Sequence, residues 1–233
     1  MNLALLILAA TLTSEVGVAD ASSAALDAPL DAQARSAQAF ALPTAVTPAQ
    51  GTVTTSFNLA HVFDPAATAT LSYSPADRLM LTVGGLYWLE QGIGVGGQAK
   101  LQVARTAGGG LSAALVGGGG YLMLDGPSNR PLGYGGAVVS ACLGDPCSVL
   151  LSAFGAGTWD GGPLGVGLWV GGNVVIESSS FVQLVGEGYY MRDLGFPMAT
   201  LAIRITPGAW TLDLGAMVAP FLPLPYLSLG YTF

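Results

Sequence analysis

Charge is what this chain has least of. Seven Lys and Arg and fourteen Asp and Glu make up 9% of 233 residues. A soluble domain carries about a quarter charged residues. So little charge cannot hydrate an ordinary outer surface, and a 52% hydrophobic composition points to lipid on at least one side. The few cations are scattered and the formal net charge is −7, so no basic patch exists to meet phosphate. That excludes a nucleic-acid partner.

Catalytic and ligating residues are equally scarce. His61 is the single histidine. A Ser-His-acid hydrolase needs it beside a serine on a polar face or in an ordered loop. The local pattern instead places it near a loop, on the apolar side with Phe57 and Leu59. The sequence has no Gly-x-Ser-x-Gly elbow and no cluster with metal-ligand spacing. Gly92 to Gly97 fits the letters of G-x-G-x-x-G, but no helix pattern follows, and the dinucleotide motif requires strand, turn and helix. The sequence therefore reads as a non-enzyme with no metal and no cofactor.

Long clean apolar runs are missing too. One long uncharged stretch, Thr106 to Leu124, contains seven of the 34 glycines. Each Gly inside a helix costs about 0.5–1 kcal/mol relative to Ala. Later stretches are broken by Arg204 and Asp213, or by Pro220, Pro223 and Pro225. These features argue against the alternative of a bundle of membrane helices.

Near the start, Leu3 to Leu12 has the length of a signal-peptide core, and Ala19-Asp20-Ala21 offers a small-x-small cleavage site. Residues 1–21 thus read as a signal peptide, departing from the pattern in having no Lys or Arg before the apolar run. A membrane anchor is the alternative, but spanning a ~30 Å core takes about 20 residues. The two cysteines, Cys142 and Cys147, fit export. If Gly144 and Asp145 centre a tight turn, the cysteines face each other on adjacent strands and an oxidising compartment keeps them linked. Free thiols and a metal pair are the other readings, the latter lacking further ligands.

Residues 22–50, rich in Ala, Asp, Gln and Pro and without alternation, read as a periplasmic lead-in, partly disordered, with a short helix around 32–39. From Gly51 to the end, segments of ten or so residues alternate small or polar with apolar side chains. This is the period-2 signal of strands with two unlike faces. The predicted strands start at Val53, Ala67, Arg78, Ile93, Gly110, Leu132, Cys147, Leu164, Phe181, Met198, Trp210 and Pro225. Leu227, Leu229, Tyr231 and Phe233 lie opposite Tyr226, Ser228, Gly230 and Thr232. Leu201, Ile203 and Ile205 oppose Ala202, Arg204 and Thr206. The stretch from Ser148 to Trp159 does not alternate cleanly, so its facing stays open.

The polar face carries small residues and a scatter of charges, which lines a lumen better than it solubilises an exterior. Aromatics gather near predicted strand ends, at Tyr87, Trp88, Tyr121, Trp159, Tyr189, Tyr190, Trp210 and Tyr231. Such girdles belong to membrane barrels, whereas the soluble alternative is a sandwich packed by the same rings. The expected fold is all-β, a closed antiparallel transmembrane β-barrel of about twelve strands in meander order over residues 51–233.

The C-terminal Tyr226-Leu227-Ser228-Leu229-Gly230-Tyr231-Thr232-Phe233 is an alternating strand ending in Phe. It resembles the sorting signal of Gram-negative outer-membrane proteins. Ala41-Leu42-Pro43-Thr44-Ala45 before Gly51 resembles the lead-in of porin-like barrels, and Tyr73-Ser74-Pro75-Ala76-Asp77-Arg78-Leu79 their short periplasmic turns. The resemblance implies a bacterial outer-membrane address, with Tyr231 and Phe233 as the assembly signal read by the barrel-assembly machinery. It names no solute.

Lys100, Glu187, Arg204 and Asp213 fall on the polar face. Arg204 and Asp213 are equidistant from Gly208-Ala209, and Glu187 and Arg204 from Gly195-Phe196, so the last three are expected in one row across neighbouring strands. Such a row either braces the wall or forms a charged constriction. The leading expectation is a narrow porin-like channel for small solutes. The alternatives are a structural or adhesive barrel with a closed interior and, behind both, a barrel enzyme acting on lipid.

Overall fold

A computed structural model describes residues 42–233 except 61–65, 89–91, 107–108, 125–129, 145–146, 162–165, 193–194, 196 and 220–221. The signal segment, the helix expected at 32–39 and His61 lie outside the described residues.

Twelve strands follow in order: β1 (Val53–Ala60), β2 (Ala66–Ala76), β3 (Leu79–Trp88), β4 (Gly92–Arg105), β5 (Leu111–Leu124), β6 (Arg130–Leu143), β7 (Val149–Asp160), β8 (Val166–Ser179), β9 (Val182–Met191), β10 (Pro197–Ile205), β11 (Trp210–Ala219) and β12 (Leu222–Thr232). Each begins within three residues of its predicted start. Every strand pairs antiparallel with its sequence neighbours, and β1 pairs with β12, so the sheet closes with no free edge. Closure is required wherever backbone groups meet lipid, because hydrocarbon offers them no hydrogen bonds. At 8 to 14 residues the strands suit a bilayer, which tilted strands cross in about 9–11.

The aliphatic face points outward. Leu71, Val83, Val95, Leu115, Leu168, Leu201, Ile203 and Leu214 are all exposed, Leu201 by 66%. One end of the barrel carries Val53, Phe233 and the turns after β2, β4, β6, β8 and β10. Around this terminal end the exposed aromatics are Tyr73, Phe181, Trp210 and Phe233. Around the far end they are Tyr87, Tyr121, Trp159 and Tyr190. Two aromatic belts enclosing an apolar band mark the two faces of a membrane.

β7 alternates strictly, with Leu150, Ser152, Phe154, Ala156 and Thr158 inward. Hydropathy did not reveal this because three of those five inward residues are apolar. They pack inside the barrel, where Phe154 and Ala156 join Ala114, Val116, Val138, Trp169, Tyr189, Met191 and Met198 in one cluster.

That cluster includes Leu42 and Ala45, which precede β1. The sequence reading put residues 22–50 in the periplasm, outside the barrel. Of the described part, residues 42–48 instead lie inside the barrel and Gln50 is exposed at its rim. Leu42, Thr44 and Ala45 are fully buried and Thr47 nearly so. A segment enclosed on all sides needs no two-faced alternation, so periodicity carried no sign of it. Pro43 and Pro48 lack N–H groups and suit an extended segment that joins no central ladder.

Candidate functional site in the barrel lumen

The inward residues of the odd and even strands form a polar lining held by the sheet register. Along β1 to β3 hydroxyls and amides pair across strands: Ser56 with Thr70 at 2.6 Å, Asn58 with Thr68 at 2.9 Å, and Ser72 with Thr82 at 2.6 Å. The Tyr226 hydroxyl donates to Asn58 Oδ1 at 3.1 Å. Thr54, Ser56, Asn58 and Thr70 are only half-buried, so this side of the lumen keeps solvent access. The side built from β5 to β10 is packed by the apolar cluster. Trp169 stands edge-on to Phe154 at 4.7 Å and to Tyr134 at 5.5 Å.

Of the expected charged row, one pair is in direct contact. Arg204 and Asp213 are register partners on β10 and β11. The guanidinium donates through Nε to Asp213 Oδ1 at 2.8 Å and through Nη2 to Oδ2 at 2.9 Å. Arg204 is 5% exposed and Asp213 2%. A two-toothed, dry pair of this kind is strong only while both partners are present.

The predicted pairing of Glu187 with Arg204 is corrected. Glu187 pairs with Thr200 on β10 and with Asn173 on β8, while Arg204 pairs with Gln183. The sequence reading centred the β9–β10 connection on Gly195-Phe196. The ladder runs Tyr190 to Pro197 and is centred two residues earlier. Glu187 lies on the strand beside Arg204, four residues along from its partner Gln183, so the three charges share one side of the interior without forming a single row. Lys100, on β4, is six strands from β10 whichever way the wall is followed, and so faces it from across the barrel.

Sequence reasoning missed the neutral polar groups around Glu187. Asn173 Oδ1, Gln183 Oε1, Tyr189 OH and Thr200 Oγ1 are buried and find no hydrogen-bond partner among the described residues. Their signal was an amide or hydroxyl at an inward strand position. Such groups ordinarily hold water or a ligand.

Cys142 and Cys147 stand at disulfide distance, with Cα atoms 5.2 Å apart. They are not cross-strand partners as expected: Cys142 pairs with Leu150, and Cys147 lies in the loop before β7. The last ladder pair is Leu143 with Val149, so residues 144–148 form a five-residue loop where a two-residue turn was expected, and Gly144 takes φ +78°. Unreduced intact-mass measurement should find the two thiols linked; two free thiols would remove the loop staple. For so short a loop, Cys142→Ser with Cys147→Ser should lower stability by at most about 2 kcal/mol.

Among the described residues no group of three or more His, Cys, Asp or Glu is placed to hold a metal. The closed wall, the outward apolar band between two aromatic belts and the partly polar interior define the class: a transmembrane β-barrel of the outer-membrane type. Neither a protein-family model nor a curated protein sequence matches the chain. Among solved structures it is similar in fold to the KdgM porin, with TM-score 0.60 and 11% identity over 78% of this chain and 99% of that one. It is likewise similar to the KdgM porin in complex with disordered oligogalacturonate, with TM-score 0.64 and 9% identity over 77% of this chain and 99% of the other.

Proposed function

We propose that the chain forms a narrow, passive passage for small polar solutes across the bacterial outer membrane, acting as a channel and not as an enzyme. The observation that carries this is the uncharged strip Thr54, Ser56, Asn58 and Thr70, which faces inward and keeps solvent access. Twelve strands lie between the eight that side chains fill and the sixteen that leave a wide aqueous channel. The oligogalacturonate held by one of the similar barrels supports a sugar-sized solute. A closed structural barrel is the second reading. It draws on the burial of Leu42 and Ala45 against the wall from β5 to β10.

Swelling of liposomes containing the purified protein, in uncharged sugars of graded size, tests the proposal. Small sugars should enter, at rates that fall as size rises. A folded barrel that admits none of them favours the closed reading.

The outer-membrane lipid and the assembly machinery are the other partners in this reading. Phe233 closes the barrel, its N–H donating to the Val53 carbonyl at 2.8 Å and its ring meeting Tyr231 at 4.6 Å. Deleting Phe233 should slow assembly in cells, seen as a lower fraction of heat-modifiable protein in the outer membrane. An unchanged fraction would remove Phe233 from the signal.

A further inference from the structure

The interior polar groups do not simply line a pore; they hold one particular occupant. The backbone N–H of Leu42 donates to Glu187 Oε2 at 3.1 Å, and that of Ala45 to Ser140 Oγ at 2.7 Å. Asn173 Nδ2 donates to the Pro43 carbonyl at 3.3 Å, and Lys100 Nζ to the Val46 carbonyl at 2.8 Å. The Thr47 hydroxyl bonds Gln102 Oε1. Five strand residues, from β4, β6, β8 and β9, thus grip five of the six residues 42–47. Two of the five, Lys100 and Glu187, are buried charges whose retention in the wall needs such partners.

Packing agrees with the hydrogen bonds. Leu42 and Ala45 belong to the apolar cluster of β5 to β10, and Val46 packs against a second cluster of Leu150, Val175, Val185, Ala202 and Tyr226. A Cβ on Gly171 would stand 2.7 Å from Leu42 Cδ1, so the wall is bare where Leu42 sits. At the terminal end Gln50 is tied to the β2–β3 turn, its N–H donating to Asp77 Oδ1 at 2.9 Å and its Nε2 to the Pro75 carbonyl at 3.0 Å. From there the segment runs inward as far as Glu187, the sixth of ten residues in β9.

We propose that the lumen contains a binding site for an extended peptide segment, that residues 42–47 occupy it, and that their withdrawal widens the passage. This rests on the channel reading above. The segment lies outside the twelve-strand ladder, so the barrel remains closed when it leaves. Apart from a single β-bridge at Pro43, the described bonds of its backbone run to side chains, and such bonds are replaceable by water or by a solute rich in hydroxyl and carbonyl groups. If the withdrawn state is populated at about 0.1–10%, as minor conformers commonly are, release of the segment raises the mean conductance about tenfold or more.

The test uses two full-length variants in a background with Cys142→Ser and Cys147→Ser. In the first, Ala45→Cys with Ser140→Cys joins the segment to β6. In the second, Leu42→Asp places a carboxylate against Glu187 and expels the segment. The lock should form in intact outer membranes and hold conductance at its floor until reductant is added. Leu42→Asp should conduct about tenfold more than its parent. A lock that never forms, in a barrel that is folded by heat-modifiable mobility, overturns the proposed occupant. A lock that forms without lowering conductance also overturns the stopper. A lock that forms while Leu42→Asp remains silent upholds the occupant and overturns the channel reading alone.

Discussion

Replacing Arg204 with alanine should lower the stability of the barrel by about 3–5 kcal/mol. The estimate follows from burial. Asp213 accepts two hydrogen bonds from this one guanidinium and is 2% exposed, so its carboxylate would be left charged in a dry wall. Glu187 shares the same side of the interior and would add repulsion. A wet lumen would screen this change with water, and a dry one would not. Burial selects the dry one. Reversible urea unfolding in lipid vesicles measures the loss. The companion variant Arg204→Met with Asp213→Leu removes both charges and should recover most of the stability, because a buried pair replaced as a pair is commonly neutral. A single variant as stable as the parent would mean that Asp213 is hydrated and the pair is not buried.

The second large effect is on the outside. Leu201 is the fifth of nine residues in β10 and 66% exposed, which places it near the middle of the apolar band. Leu201→Arg should cost about 2–4 kcal/mol, the penalty for a cation at the midplane on the lipid face. Phe181→Arg, on an exposed residue in the β8–β9 turn at the terminal rim, should cost about 0–1 kcal/mol. The same unfolding assay reads both. Equal costs at the two sites would show that depth does not matter, and therefore that this surface does not face a bilayer.

The strands and their facing were legible because a barrel wall has one lipid side and one polar side, and period 2 records that contrast directly. Where the contrast fails, so does the reading. The inward Leu150, Phe154 and Ala156 of β7 pack against an occupant the pattern does not encode. The contact of Arg204 with Asp213 was legible because a short turn fixes the register. That of Glu187 was not, because a loop can be centred in several ways and a shift of two residues changes the partner. Residues 42–47 were the largest omission. A short extended segment buried by side chains on every side has no periodicity, no caps and no ladder. Its apolar Leu42, Ala45 and Val46 resemble any linker until the wall around them is known.

The most direct measurement is single-channel recording of the purified full-length protein in a planar bilayer. The expected result is discrete, small conductance steps with little preference for ion sign, since the solvent-accessible strip on β1 and β2 is uncharged and Arg204 is neutralised by Asp213. A barrel proved folded by its heat-modifiable mobility, yet silent at every voltage both before and after Leu42→Asp, would contradict solute passage.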